Sequence, residues 1–241
     1  MASFPLRMTA GRDDAVPDNK SLAQQPSATR LPATTVPSTS EQQMLERFLA
    51  ECVLITPGKS PYPESFGYGS DTPAANEHAR RQVEMHRAFR ICRYETTQEL
   101  FNAVMGSNPS RWKGPRNSAE NMTIEQAVEF CQKLTTRLQK IGLLKPTEVV
   151  RLPTPEEWEY CCRAGSVTRF CFGDAPGASE EDSSVLDQHA WHTGNAAGND
   201  PAVGVLKPNA WNLYDMHGYL WEFTAPVSPT QASGPCEIRG G

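Results

Sequence analysis

Helical hydrophobic periodicity organises the middle of the chain and stops near residue 165. Three amphipathic segments each begin with a threonine followed three residues later by Glu or Gln, a capping box that satisfies free amides at a helix N-terminus. These threonines are Thr96, Thr123 and Thr154. We predict that the three helices end at glycines, because glycine readily adopts the left-handed conformation after a helix. These glycines are Gly106, Gly142 and Gly165.

The first forty residues lack this periodicity. Residues 1–40 are rich in Ser, Thr, Pro, Ala and Gln and hold almost no aromatic side chains. Such a segment buries too little apolar surface to offset the entropy lost on ordering. We therefore predict a disordered tail over 1–40. A capping box formed by Ser40 and Gln43 then predicts an N-terminal helix over 41–52.

Strand signals are short and flank the helices. Residues 53–58 are typical of a strand that enters a turn, and residues 87–95 alternate as a strand does. Residues 166–241 are dense in Gly, Pro, Asn and Trp, which predicts loops and short strands. Helices followed by irregular segments, without a βαβ rhythm, favour an α+β class and one domain over 53–241.

Composition excludes several classes of protein. The chain has 23 Lys and Arg against 28 Asp and Glu, a net charge of −5, and no basic run. This balance argues against a nucleic-acid partner. The absence of a long apolar stretch and of an apolar leader argues against a membrane partner or export. Seven scattered cysteines then predict a reduced, cytoplasmic chain without a disulfide framework.

Six motifs in order give the chain a family resemblance. They are PGKSPYPESFGYGS (57–70), FRICRYETTQELFNAVMGSNPSRWKG (89–114), MTIEQAVEFCQKL (122–134), RLPTPEEWEYCCRAGS (151–166), VGVLKPNAWNLYDMHGYLWEFT (203–224) and EIRGG (237–241). Together they resemble the formylglycine-generating enzyme, or sulfatase-modifying factor, family. The resemblance implies an irregular α+β fold related to C-type lectins, over a domain at 53–241 that we expect to be C-terminally truncated.

The segment RLPTPEEWEY permits two interpretations. Arg151 with Glu156 and Glu157 offers acid–base groups for catalysis. The structural interpretation is that the two acids complement a helix N-terminus, that Trp158 anchors the core and that Arg151 pairs with a buried carboxylate. We favour the structural interpretation.

The segment 215–222 offers ligands suited to calcium, which prefers carboxylate and carbonyl oxygens. The resemblance implies a structural calcium held by the side chains of Asp215 and Glu222 and the carbonyls of Gly218 and Leu220. Tyr219 stands where family members commonly carry Asn. The alternative is a plain turn and strand with a solvated carboxylate.

A second metal site has weaker support. Asn195 and Asp200 lie in the loop that, by the resemblance, would supply a second calcium, but their ligand roles do not align. His192 and His217 could suggest zinc, but the sequence has no matched His/Cys spacing around them, so surface or hydrogen-bonded histidines are the favoured interpretation.

Catalysis in the family implies a copper(I) ion held by two cysteines beyond the Arg-Gly-Gly motif, and the sequence does not include that stretch. Cys161 and Cys162 are about 100° apart around a helix and diverge. We therefore expect no catalytic residue here, and copper only if such a pair lies beyond this chain.

Two functions remain open. One is the family's oxidation of a cysteine to formylglycine in an unfolded sulfatase segment, in a complete protein. The other is a non-catalytic lectin-like module that binds a protein or glycan. A downstream cysteine pair would favour the first. A sulfoxide synthase of the ergothioneine type is disfavoured, because no histidine-rich bundle precedes residue 53.

Overall fold

The computed structural model describes residues 2–3, 6–10, 39–74, 77–175, 177, 179, 182–196, 198, 200–225 and 236–240. Within these residues the chain forms four α-helices, nine short strands and one turn of 3-10 helix at Leu186–Gln188. The helices are α1 Thr39–Ala50, α2 Gln98–Met105, α3 Ile124–Lys140 and α4 Pro155–Arg163. The strands are β1 Ala2–Ser3, β2 Arg7–Ala10, β3 Cys52–Ile55, β4 Ser65–Tyr68, β5 Arg81–Glu84, β6 Phe89–Cys92, β7 Glu148–Arg151, β8 Trp221–Phe223 and β9 Ile238–Gly240. The mixed α+β class expected from the sequence is confirmed.

The central sheet has the strand order β3-β6-β2-β7 and is antiparallel throughout. Strand β2 lies inside this sheet, where Met8 is paired with Arg90 of β6 and with Val150 of β7. Leu6 and Met8 are buried in the core beneath it. An element from the extreme N-terminus therefore joins two strands that are otherwise far apart in sequence.

The prediction of a disordered tail over 1–40 is wrong at both of its ends. Residues 2–3 and 7–10 form strands, and α1 begins at Thr39. Composition averaged over forty residues concealed a short strand whose ladder bonds and buried side chains offset its ordering entropy. Residues 11–38, which the same prediction covers, lie outside the described residues.

The predicted starts and ends of the helices are confirmed in part. Thr123 and Thr154 each form the complete capping box, and α2 ends at Gly106 in the left-handed conformation. The other two helices end one residue before the predicted glycines, at caps Ile141 and Ala164. Thr97 rather than Thr96 occupies the N-cap position of α2, and its side chain makes no cap hydrogen bond, so the predicted capping box does not form. Helix α1 spans Thr39–Ala50 rather than 41–52, with Ser40 inside the helix.

Two buried clusters cover the two faces of the central sheet. One contains the inner faces of α1, α2 and α3, including Leu45, Phe101 and Leu134. The other joins Phe89 and Ile91 of β6 to α4 and to the later loops. Along β6, Phe89 and Ile91 face the second cluster, whereas Arg90 is exposed and Cys92 packs against the first cluster. The second cluster therefore sets α4 against the irregular segment that follows it.

The last described strand is fixed to α4. Strands β8 and β9 are antiparallel, with Glu222 opposite Arg239. Arg239 donates to Glu159 of α4 at 3.3 Å, and Glu159 also binds Arg163 at 2.8 Å. These charged contacts hold the Arg-Gly-Gly motif beside the end of segment 215–222. No helix among the described residues is long and apolar enough to span a bilayer.

Candidate calcium centre

The turn from 215 to 222 adopts an unusual backbone conformation. Asp215 and Tyr219 have φ of 57° and 88°, a region that non-glycine residues rarely occupy. A Cβ at Gly218 would lie 2.4 Å from the carbonyl oxygen of Trp191, so only glycine fits there. The N–H of Tyr219 donates to the same Trp191 carbonyl at 2.7 Å. Contact with the 190–191 segment therefore imposes this shape on the turn.

The turn buries the two acidic side chains predicted from the sequence. Asp215 and Glu222 are each 2% exposed. Glu222 accepts a hydrogen bond from the indole Nε1 of Trp158 at 2.7 Å. Asp215 accepts one from the backbone N–H of Gly204 at 3.0 Å through Oδ2, while its Oδ1 has no hydrogen-bond partner among the described residues.

A third carboxylate, Glu95, joins them and was missed by the sequence analysis. Glu95 lies between β6 and α2, is 3% exposed, and has both carboxylate oxygens without a hydrogen-bond partner in the described part of the chain. The negative charges of Asp215 and Glu222 act on it directly. Its sequence neighbours gave no signal, because a lone Glu before a helix is usually a solvated residue.

Burial raises the pKa of all three carboxyl groups. Burial raises the pKa of Asp215 to about 6. Burial, and then the Asp215 charge, raise the pKa of Glu222 to about 8. Burial and both neighbouring charges raise the pKa of Glu95 well above its usual range. No described Lys or Arg forms an ion pair with any of the three.

One of the two predicted main-chain oxygens, the carbonyl of Leu220, lies near the Glu222 carboxylate. A Cβ at Gly240 would lie 3.3 Å from the Leu220 carbonyl oxygen and 3.9 Å from Oε1 of Glu222, so these two oxygens border one small space. Gly218 is buried within the same turn. Across the described ranges, no three His, Cys, Asp or Glu side chains stand in a metal-binding arrangement. An ion at this turn would therefore need carbonyl ligands, as the predicted set has.

The structure does not assemble the second candidate site. The Asn195 side chain bonds to the backbone of His192 at 2.8 Å and of Ala190 at 2.9 Å. Asp200 accepts from Asn117 at 2.8 Å and from the Tyr219 hydroxyl at 2.6 Å. Both residues are thus already bonded to protein groups.

The two histidines considered for zinc have ordinary structural roles. His192 bonds to Asp187 at 2.6 Å. Nε2 of His217 accepts the backbone N–H of Cys171 at 3.0 Å, and burial lowers the pKa of His217 to about 4. The Cys162 sulfur lies 3.7 Å from Nδ1 of His217, and burial raises the pKa of that thiol. Both groups are therefore neutral near pH 7, which does not favour a reactive cysteine–histidine pair.

The RLPTPEEWEY segment has the structural role favoured from the sequence. Arg151 makes two hydrogen bonds of 3.0 Å to Glu157, which also completes the capping box of α4. Arg7 of β2 forms a further ion pair with Glu157. Glu156 pairs with Arg81 at 2.6 Å. These acids are engaged in holding α4 against the sheet.

Comparisons with known proteins agree with this architecture. The model of the sulfatase-modifying factor enzyme 1-like domain matches residues 36–239. The chaperone protein LppX of Paenibacillus barcinonensis is 29% identical over 189 residues, covering 58% of this chain and 65% of the relative. The formylglycine-generating enzyme of Mycobacterium tuberculosis is 34% identical over 82 residues, covering 31% of this chain and 26% of the relative.

A solved structure shares the fold. PvdO from Pseudomonas aeruginosa superposes with a TM-score of 0.56 at 23% identity, covering 78% of this chain and 80% of that one. The chain covers less than two thirds of the length of either curated relative described above. Because the family model matches most of the chain, including α1, the domain begins earlier than residue 53. The chain belongs to the sulfatase-modifying factor family, the family of the formylglycine-generating enzymes.

Proposed function

We propose that these 241 residues form a calcium-stabilised scaffold of the formylglycine-generating type that binds a protein segment and does not itself oxidise cysteine. The observation that carries this proposal is the combination of a buried, uncompensated carboxylate cluster with cysteines that form no open thiolate site. The first feature calls for a cation. The second argues against the family's redox chemistry within this stretch of chain.

Calcium is supported by the chemistry of the donors at the turn. Asp215, Glu222 and the carbonyls of Gly218 and Leu220 supply hard oxygen atoms, which calcium prefers, and no soft sulfur or nitrogen ligand is among them. The unpartnered Oδ1 of Asp215 is a buried polar atom of the kind that a bound ion satisfies. Glu95 adds a negative charge that a divalent cation would balance. When bound, the ion supplies charge neutralisation and a fixed turn rather than catalysis.

The calcium proposal predicts a calcium-dependent melting temperature. Chelation should lower the melting temperature, and added calcium should restore it, because an ion that binds only the folded state stabilises that state. At calcium about 100-fold above its dissociation constant the gain is about 2.7 kcal/mol. Asp215→Ala should remove the dependence, whereas the matched control Asp187→Ala should keep it. Identical melting curves with calcium and with chelator in the wild-type chain would exclude the site.

Neither the Cys161–Cys162 pair nor the Cys52–Cys92 pair fits the copper(I) ion that the family resemblance implies. Copper(I) requires converging thiolates that a substrate can also reach. Cys161 and Cys162 are adjacent on α4 and both buried, and burial raises the pKa of each thiol. Cys52 and Cys92 are close to each other, but they lie under α1 within the core. These four cysteines therefore offer no copper(I) site for the oxidation.

Partner binding is supported by the relatives rather than by an exposed groove. One curated relative is named a chaperone, and others are named formylglycine-generating enzymes. Both names concern proteins that act on another polypeptide. We propose an unfolded sulfatase segment as the partner to test first, with a different protein as the alternative. The whole family activity, oxidation of a sulfatase cysteine to formylglycine, is the second candidate function and rests on the named relatives.

One peptide distinguishes the two candidate functions. A fluorescent sulfatase-derived peptide containing Cys-x-Pro-x-Arg is mixed with the purified chain, and binding is followed by anisotropy. The same mixture with copper, reductant and oxygen is examined by mass spectrometry. We expect saturable binding without conversion of the thiol to an aldehyde. Aldehyde above a copper-only control would establish the oxidase instead, and absence of binding would remove the sulfatase segment as partner.

A further inference from the structure

Two cysteines face each other across the edge of the central sheet. Cys52 is the first residue of β3 and Cys92 is the last of β6, and the two are register partners. Their sulfur atoms lie 3.2 Å apart. They are separated by forty positions in the sequence, so only the pairing of β3 with β6 brings them together. Neither cysteine takes part in the candidate calcium centre.

The backbone pattern around them suits a disulfide. The N–H of Arg93 donates to the Glu51 carbonyl at 3.0 Å, while the N–H of Cys92 points the other way, to the Leu6 carbonyl at 3.0 Å. Cys52 and Cys92 therefore form a non-hydrogen-bonded pair, in which the Cα atoms are about 4.5 Å apart and the side chains approach closely. That separation lies within the range of about 4.4–6.8 Å that disulfides span.

The surroundings favour the thiol form of Cys92 and restrict the access of an oxidant to both sulfur atoms. Cys52 is buried and can donate its S–H to the Phe48 carbonyl at 3.2 Å. Burial, and then the contact with Cys52, raise the pKa of the Cys92 thiol well above its usual value. A cavity of about 20 Å³ borders Cys92, which is room for roughly one water molecule. A larger oxidant would reach the sulfurs before α1 packs, or when it opens.

We propose that Cys52 and Cys92 form a disulfide when the chain folds with a low-molecular-weight disulfide such as oxidised glutathione. One cysteine thiolate attacks the glutathione disulfide and releases one reduced glutathione. The second thiolate then attacks the mixed disulfide, forms the Cys52–Cys92 bond and releases another. Two thiol protons and two electrons leave the chain, and one glutathione disulfide becomes two thiols.

The disulfide would covalently link the edge strand β3 to the interior strand β6. Strand β3 is an edge strand, whereas β6 lies between β3 and β2. Helix α1 leads directly into β3, so the crosslink also restrains the helix. This would be an exception to the reduced, disulfide-free chain expected from the cysteine spacing. It is independent of the calcium proposal, because neither sulfur is among the candidate calcium ligands.

Peptide mapping after oxidative refolding tests the proposal. The full chain is refolded in a buffer of oxidised and reduced glutathione, free thiols are alkylated under denaturing conditions, and the digest is analysed without reduction. We expect five of the seven cysteines to be alkylated and the tryptic peptides that contain Cys52 and Cys92 to be joined. The crosslinked chain should melt on the order of 10 °C higher than the reduced chain, as loop-entropy arguments indicate for a loop of this length.

Cysteine variants test whether the crosslink is specific to Cys52 and Cys92. Cys52→Ala and Cys92→Ala should each abolish the linked peptide, whereas the control Cys171→Ser should retain it. Because the mapping is done on the wild-type chain, a variant that fails to fold does not weaken the test. Seven alkylated cysteines after oxidation, a link to a different cysteine, or a stable glutathione adduct on Cys92 alone would each overturn the proposal. Bound copper in place of the crosslink would overturn it too.

Discussion

Truncating Leu6 tests whether the N-terminal strand belongs to the folded domain. Leu6 is 1% exposed and precedes β2, and its carbonyl accepts the N–H of Cys92. Leu6→Ala removes buried methyl groups and leaves a cavity, which costs about 2–5 kcal/mol in packed cores. For a chain of this size, each kcal/mol lowers the melting temperature by about 2–4 °C. We therefore expect a fall of roughly 5–15 °C.

Thermal unfolding followed by circular dichroism measures this effect. Thr9→Ala is the matched control, because Thr9 lies on the same strand with its side chain on the opposite face and is only partly buried. Its melting temperature should stay within about 2 °C of the wild type, as expected for a change near the surface. Deleting residues 1–10 should destabilise the chain more than Leu6→Ala does, since β6 and β7 then lose their shared partner. A wild-type melting temperature in both Leu6→Ala and the deletion would refute the strand assignment and restore the expectation of a dispensable tail.

Two further predictions concern the carboxylate cluster and the cap of α4. The folded pKa values of about 6 for Asp215 and about 8 for Glu222 exceed the ordinary values, so the folded state without calcium holds protons longer than the unfolded chain. The stability of the chain without calcium should therefore fall as pH rises through these values. In chelator the melting temperature should drop between pH 6.5 and 8.5, which is above the titration of His217, and saturating calcium should remove most of that drop. A chelated chain that is equally stable at both pH values would contradict this prediction. Thr154→Ala should lower the free energy of unfolding by about 1 kcal/mol, because the hydrogen bond from the Glu157 N–H to the Thr154 hydroxyl is lost. Urea unfolding can detect this change, and Thr154→Ser should restore most of the stability. Equal urea midpoints for Thr154→Ala and the wild type would contradict the role of Thr154 as a cap.

The sequence alone determined the parts of this protein that depend on neighbours along the chain. Thr123 and Thr154 begin helices because each hydroxyl meets an amide three residues later, a contact that the local sequence fully specifies. The ordered motifs also identified the family and the α+β class. The family resemblance singled out Asp215 and Glu222, and the structure buries both of them.

Tertiary structure decided whatever depended on pairing between distant segments. The start of α2 moved from Thr96 to Thr97 because residues 96–97 pair with 118–119, including a 2.7 Å bond from the Ala119 N–H to the Thr96 carbonyl. Strand β2 is ordered because two remote strands bind it on either side.

The chemistry of the carboxylate cluster and of the cysteine pair also depends on the tertiary structure. Glu95 is a buried carboxylate without a hydrogen-bond partner among the described residues, and burial rather than sequence position raises its pKa. Cys52 and Cys92 meet only through the register of β3 with β6. Hydrogen-bonded pairing and exclusion of water are properties of the assembled sheet and core, which no window of neighbouring residues contains. The family resemblance in the sequence therefore indicated the candidate donors at the turn, whereas only the fold brought in Glu95 and the cysteine pair.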